Sequence, residues 1–215
     1  AIDHIISAHV VMDGASLEAE EESRRFDISA IDFDLLRREF ARVRTKNLLL
    51  RDLEELIQQK LDRMMFRNPN RIDYYEHYRE IIEAYNAEQD RATIEKTFME
   101  LMDLAGKLST EEQRYVREGF ASDEELSFYD MLFRDDLKKD DIKKLKEVAA
   151  ALLEKVKGKI ATLDKWTEKK ETRAQVGNLI RETLWKELPE CYDDASVASY
   201  GQKVYAYVYT RYKVA

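Results

Sequence analysis

Two adjacent pairs of aspartates come closest to a metal-binding pattern in this chain. The pairs are Asp135 with Asp136 and Asp140 with Asp141. Their carboxylate oxygens are the kind of ligand that Mg²⁺ and Ca²⁺ prefer in proteins. The same four acids flank Leu137 at the predicted start of a helix, where negative charge offsets the helix dipole. We therefore favour helix capping as their role and predict no metal ion.

The three histidines and the single cysteine do not form a catalytic or zinc-binding pattern. His4 and His9 are five positions apart and face different sides of a helix, whereas a zinc-binding pair on one helix is four apart. His77 has no second histidine near it in the sequence. Cys191 has no neighbouring histidine that would stabilise a thiolate. We predict ordinary surface or core positions for the histidines, and for Cys191 the role of a small residue in a turn.

Two short segments match parts of known catalytic motifs, and each lacks the remainder. Residues 168–170 (Glu-Lys-Lys) match the Glu-x-Lys half of a restriction-nuclease core. That core needs the element on a strand beside a metal-binding aspartate, and we predict a helix here. Residues 106–108 (Gly-Lys-Leu) lack the upstream glycine and the following Ser or Thr of a phosphate loop. The sequence therefore predicts no catalytic, cofactor-binding or metal-binding residue.

The composition is that of a helical protein. Of the 215 residues, 44% are hydrophobic and 37% are charged, with 6 glycines and 2 prolines. Proline costs roughly 3 kcal/mol inside a helix, and Pro69 and Pro189 are separated by 119 residues without one. We predict an all-α fold, an irregular bundle of long and short helices in two subdomains. The predicted domains are a connector from a preceding domain at 1–29, a helical domain at 30–106, and a C-terminal helical domain at 107–215.

The sequence also indicates a compartment. A single cysteine excludes an internal disulfide and is typical of a reducing environment. No apolar run approaches the ~18 residues of a membrane span. The first residues, Ala1-Ile2-Asp3-His4, lack the features of a signal peptide and do not include an initiator Met, as expected for part of a longer protein. We predict a cytoplasmic protein with no membrane partner.

Residues 33–66 show the clearest helical pattern. Apolar side chains recur there at three- and four-residue steps, which places them on one face of a helix. The predicted buried stripe includes Phe40, Val43, Leu50, Ile57 and Leu61. Asp32 or Asp34 is suited to cap the start, and Asn-Pro-Asn at 68–70 ends the pattern. We predict one continuous helix.

Further helices are predicted along the rest of the chain. They cover 71–105 with a bend at 86–90, then 109–119, 122–133, 138–163 and 167–188. Gly106 is suited to a C-terminal cap, and Ser109 and Ser122 each precede a glutamate by three residues, the spacing of a capping box. Residues 203–210 favour a strand by composition, but their apolar spacing fits a helix, and we predict a helix there.

Two segments resemble the best-marked stretches of a known family. They are residues 122–132, SDEELSFYDML, and residues 164–170, DKWTEKK, followed by Arg173 and Ala174. Both are similar to the C-terminal helical region of the restriction (motor and endonuclease) subunit of type I restriction-modification enzymes. Residues 42–47, RVRTKN, also resemble the helical domain that follows the motor domains of that subunit. The resemblance covers about 30–215.

This resemblance implies a non-catalytic part of an enzyme. In that family, other domains of the subunit use ATP and Mg²⁺ to translocate DNA and then cleave it. The helical C-terminal region docks the subunit onto a methyltransferase core made of modification and specificity subunits. The resemblance therefore implies these two subunits as partners, contact with DNA through the whole complex, and no cofactor in this part of the chain.

Aromatic and basic residues in the two segments are the predicted contacts with the partner, because a few aromatic and arginine side chains supply most of the energy of an interface. The predicted contact residues are Phe128, Tyr129, Trp166, Lys169, Lys170 and Arg173. For Trp166, two interpretations remain open: an interface anchor or a core residue.

Two other functions remain as alternatives. One is an accessory element that tracks DNA, because residues 134–173 carry 13 basic and 9 acidic groups. Its predicted DNA contacts are Lys143, Lys144 and Lys146. The net charge of −8 and the alternation of lysines with acids favour a solvated helix face instead. The other alternative is an unrelated helical adaptor or scaffold.

Overall fold

The computed structural model describes residues 32–88 and 90–213. This part of the chain is all-α, as predicted, with nine α-helices and no strand. The helices are α1 (Phe33–Arg42), α2 (Lys46–Arg67), α3 (Ile72–Ala87), α4 (Arg91–Glu112), α5 (Arg114–Arg117), α6 (Asp123–Leu132), α7 (Lys139–Ala161), α8 (Lys170–Glu187) and α9 (Asp194–Arg211). The predicted connector at 1–29, with His4 and His9, lies outside the described residues.

The described chain divides into two compact units. The first contains residues 32–65 and 71–113, and the second contains 66–70 and 114–213. In the first unit, α3 packs along α4, and α2 contributes most of the buried leucines. The ring of Phe40 on α1 stacks on that of Phe98 on α4, with centroids 3.6 Å apart. A buried ion pair, Arg71 Nε to Glu111 Oε1 at 3.1 Å, also lies in this unit.

The second unit is built mainly from the short helix α6 and three long helices, α7, α8 and α9. Helix α6 packs on α7, α7 on α8, α8 on α9, and α9 returns to α6. One face of α7 forms much of the core, since Leu145, Ala149, Leu152, Val156 and Ile160 are all buried. On α9, Val197, Val204 and Tyr207 are buried. Helix α9 covers residues 203–210, so the helical prediction for this segment is confirmed.

The prediction of one continuous helix over 33–66 was wrong. Helix α1 ends at Arg42 because Val43 adopts an extended backbone, with φ −71° and ψ 145°. Val43 and Thr45 are β-branched and weaker helix formers than their neighbours. Asn47 falls on the predicted stripe by its spacing, but it is exposed at the start of α2. The predicted stripe is nevertheless buried on both sides of the break, at Phe40, Leu50, Ile57 and Leu61, while Val43 is only partly buried.

The predicted C-terminal cap at Gly106 and helix start at Ser109 were also wrong. Helix α4 runs unbroken from Arg91 to Glu112. A glycine inside a helix costs roughly 1 kcal/mol relative to alanine. The complete burial of the flanking Leu104, Ala105 and Leu108 outweighs that cost.

Several predicted helix boundaries are confirmed. Asp32 caps α1, its side chain accepting a hydrogen bond from the Leu35 N–H at 2.9 Å. Helix α2 ends at Arg67, before the Asn-Pro-Asn segment. The predicted bend at 86–90 is the loop between α3 and α4. Within the described residues, no helix is long and apolar enough to cross a membrane.

Candidate functional site

The three aromatic residues of the predicted interface lie inside the second unit. Phe128, Tyr129 and Trp166 are 0%, 4% and 1% exposed. The Phe128 ring meets the edge of Tyr207 at a centroid distance of 5.8 Å. The indole N–H of Trp166 donates to the backbone oxygen of Tyr212 at 2.7 Å. These rings contribute to the core, so a partner contacting the folded unit must bind other side chains.

The segment around Trp166 is a turn held by the start of α8, and the helix predicted for 167–188 begins only at Lys170. Lys165 has a positive φ of 46°, which is uncommon for a residue with a side chain. The hydroxyl of Thr172 donates to the Trp166 oxygen at 2.7 Å. Arg173 Nη1 donates to the Thr167 oxygen at 2.9 Å. Helix α8 thereby fixes the turn that inserts Trp166 into the core.

The other predicted segment, 122–132, organises polar contacts within the same unit. Ser122 caps α6 as predicted, accepting from the Glu125 N–H at 3.2 Å. Asp130 accepts two hydrogen bonds from Arg114, at 2.8 and 3.1 Å, and one from Asn68 Nδ2 at 2.7 Å. Burial acts to lower the pKa of Arg114, but its hydrogen bonds and charge pairs with Glu118 and Asp130 outweigh burial and raise it. This segment therefore holds the unit together.

The three lysines predicted to contact DNA do not form a free basic patch. Lys146 donates to the Glu118 backbone oxygen at 2.7 Å and lies over the rings of Phe120 and Tyr129. Lys144 donates to a backbone oxygen, that of Leu188, at 3.4 Å. Lys143 is exposed. Two of the three ammonium groups are thus committed to contacts within the unit.

The clearest surface site is a groove between α8 and α9, which we call the basic groove. It has a volume of about 410 Å³. Its lining residues are Lys170, Arg173, Ala174, Gly177, Asn178, Arg181, Ala198, Gly201, Gln202 and Tyr205. Two residues of the predicted interface, Lys170 and Arg173, belong to this lining, and Lys169 is exposed beside it.

Small residues line the basic groove on both helices. A Cβ atom added to Gly177 would lie 3.6 Å from the ring of Tyr205, in ordinary contact. One added to Gly201 would lie 3.8 Å from Leu184 Cδ1. Burial raises the pKa of the Tyr205 hydroxyl, partly offset by the charge of Arg173.

The charge of the basic groove has one sign. Its lining contains three cations and no carboxylate. Within the described residues, neither Lys170, Arg173 nor Arg181 forms a salt bridge; Arg181 donates to the Asn178 side chain, and Arg173 to backbone oxygens. The groove therefore offers positive charge to a ligand.

A second cavity lies in the first unit, at the break between α1 and α2, with a volume of about 800 Å³. It includes part of the 42–47 segment. Lys46 and Arg91, which line it, both bind the Glu95 carboxylate, at 2.5 and 3.2 Å. The hydrogen bond from Lys46, with a second from Arg91, lowers the pKa of Glu95. Two of the cations of this cavity therefore already share one carboxylate.

The two short matches to catalytic motifs do not lie in the secondary structure that those motifs need. Residues 106–108 lie inside α4, and Glu168 lies in a turn, not on a strand. Asp141 accepts a hydrogen bond from the Lys138 N–H at 3.4 Å at the start of α7, and Asp136 pairs with Arg134. In the described ranges, no three His, Cys, Asp or Glu side chains are placed to hold a metal ion together.

Sequence reasoning predicted only two of the ten residues that line the basic groove, Lys170 and Arg173. Arg181, Gln202 and Tyr205 were not predicted as site residues, although Gly177 and Gly201 mark the places where the helices meet. The available signal was the spacing of small residues on two neighbouring helices. It identifies a site only when α8 and α9 are known to be packed together.

A comparison with known families finds a match. The family model described as "Type I restriction enzyme HindI endonuclease subunit-like, C-terminal" matches residues 1–200. The chain belongs to this family. No curated protein and no solved structure shows significant similarity to it. The description places members of the family at the C-terminal part of a type I restriction endonuclease subunit-like protein, which confirms the predicted resemblance and decides against an unrelated adaptor.

Proposed function

We propose that this chain is a non-catalytic assembly module, which docks a type I restriction subunit onto a methyltransferase core of modification and specificity subunits. The family match over residues 1–200 is the observation that carries the proposal. DNA translocation with ATP and Mg²⁺, and DNA cleavage, belong in this proposal to other domains of the subunit. The complex acts in the cytoplasm.

The distribution of charge on the surface of the second unit supports a binding role. The exposed basic groove carries three cations without carboxylate partners in the described residues. The catalytic motifs suggested by sequence are dispersed over a helix and a turn. An exposed surface and a helical scaffold are what an assembly module needs.

Purified methyltransferase core provides the test. We expect the folded chain to bind the core in a pull-down and in calorimetry. We also expect the chain alone to hydrolyse no ATP and cleave no DNA in the presence of Mg²⁺. If wild-type chain with a normal thermal melt does not bind the core, the docking function is wrong.

DNA binding by the chain alone is expected to be weak, because each phosphate contact requires a free cation and the net charge is −8. Fluorescence anisotropy with duplex DNA measures it. Tight binding at physiological salt that is lost in Lys143→Glu, with the fold intact, would favour the DNA-tracking alternative. Lys146→Glu is expected to lower stability instead, since it breaks the contacts with Glu118.

A further inference from the structure

The basic groove has the residue spacing of a helix-binding seam. On α8 its lining residues follow the steps i, i+3, i+4, i+7, i+8 and i+11, from Lys170 to Arg181. On α9 the lining runs i, i+3, i+4 and i+7, from Ala198 to Tyr205. This is the face that one helix presents to another. Both helices thus present a seam along the same open groove.

The length and the lining of the groove are suited to binding a helix. The twelve residues from Lys170 to Arg181 are separated by eleven rises of 1.5 Å, so they span about 16 Å, which is about three helical turns. Four of the lining residues are small: Ala174 and Gly177 on α8, Ala198 and Gly201 on α9. Side chains of a third helix can enter grooves between such ridges and bring its backbone close.

An exposed aromatic residue extends the same surface. Trp185 is 59% exposed, and it lies four residues after Arg181 and seven after Asn178, on the same face of α8. Exposed tryptophan is a frequent anchor of protein interfaces. Trp166, in contrast, is buried.

The charge decides which helix binds. Lys170, Arg173 and Arg181 form no salt bridge within the described residues, and no carboxylate lines the groove. A helix with Asp or Glu on both sides of an apolar stripe would complement this lining. A nucleic acid is disfavoured by the net charge of −8 and gains nothing from small residues at helical spacing.

We infer that the basic groove binds an acidic amphipathic helix of the partner protein. The helix places its apolar stripe on Ala174, Gly177, Ala198 and Gly201, and its carboxylates against Lys170 and Arg181. This inference rests on the proposed function, because it identifies the surface by which the chain docks.

The decisive variant is Lys170→Glu with Arg181→Glu. Arg173 is left unchanged because it holds the turn at Thr167. We expect the affinity for purified methyltransferase core to fall by at least about tenfold, since two attractive charges become repulsive. The matched control is Arg117→Glu with Lys139→Glu, which makes the same charge change at exposed positions outside the groove, and it should bind like wild type.

A steric variant tests the groove without changing its charge. Ala198 is exposed and lines the groove, so Ala198→Trp should obstruct it while leaving the melting temperature near that of wild type. Ala198→Ser is the control. We expect binding to fall at least about tenfold for the tryptophan variant only.

A photoreactive amino acid at Gln202, an exposed groove residue, identifies what occupies the groove. Incorporated into the chain bound to the core and to DNA, it should crosslink to an Asp- and Glu-rich helical segment of the core. The same amino acid at Glu154, exposed on α7, should not. Crosslinking of Gln202 to DNA would overturn the inference.

The outcomes separate the two proposals. If wild-type chain binds the core and the groove variants bind equally well, the inference is wrong and the docking function stands. If wild-type chain does not bind at all, both are wrong. Loss of binding in both groove variants, with normal binding of both controls, supports both.

Discussion

Replacing Trp166 with alanine is expected to destabilise the second unit, and the structure sets the size of the effect. The indole is 1% exposed, meets the edge of Tyr209 at a centroid distance of 5.8 Å, and donates to the Tyr212 oxygen at 2.7 Å. Truncation of a buried tryptophan or phenylalanine costs about 3–5 kcal/mol. For a unit of about 100 residues, 3 kcal/mol corresponds to a fall in melting temperature of about 12–24 °C.

A second variant separates the ring from its hydrogen bond. Trp166→Phe keeps most of the apolar area but leaves the Tyr212 oxygen without its donor, so we expect a loss of about 1–3 kcal/mol. Trp185→Ala makes the same chemical change as Trp166→Ala at a site that is 59% exposed. It should alter stability by less than about 0.5 kcal/mol.

The measurement is urea unfolding followed by far-ultraviolet circular dichroism, because tryptophan fluorescence changes with the substitutions themselves. Binding to the methyltransferase core is measured on the same samples. If Trp166→Ala costs under about 1 kcal/mol yet weakens docking, Trp166 is an interface anchor and the reasoning from burial fails. Equal stability of the Trp166→Ala and Trp185→Ala variants would also contradict the reasoning from burial.

Two further changes test the first unit. Leu50→Ala should lower the free energy of unfolding by about 2–5 kcal/mol, because Leu50 is 1% exposed; a loss below about 1 kcal/mol in a denaturant titration would contradict its core position. Burial raises the pKa of Glu54 above its ordinary value of 4.5, although Arg51 partly offsets this. A raised carboxyl pKa means that the ionised form destabilises the folded state above that pKa, and that the penalty disappears as pH falls below the unfolded value. Glu54→Gln should therefore stabilise the unit at pH 7 but not near pH 4, in melts compared with the exposed control Glu55→Gln, and a pH-independent difference would contradict this.

Local signals in the sequence located most helix ends. Asp32 and Ser122 cap helices as their residue types predict, and Pro69 follows the end of α2. Each of these features depends on groups within about four residues of one another, so no knowledge of the fold is needed. The prediction failed at Gly106, where burial of distant apolar side chains outweighs a local preference.

The sequence by itself determined that the chain is helical, which stripes are apolar, and which family it resembles. Only the tertiary structure decided which charged and aromatic side chains are free. Trp166 meets the carbonyl of Tyr212, 46 residues away, and Lys146 is held by Glu118, 28 residues away. Helical periodicity shows which face of a helix is apolar, but not what covers that face. Burial and pairing depend on which helices pack together, and so the basic groove exists only once α8 lies against α9.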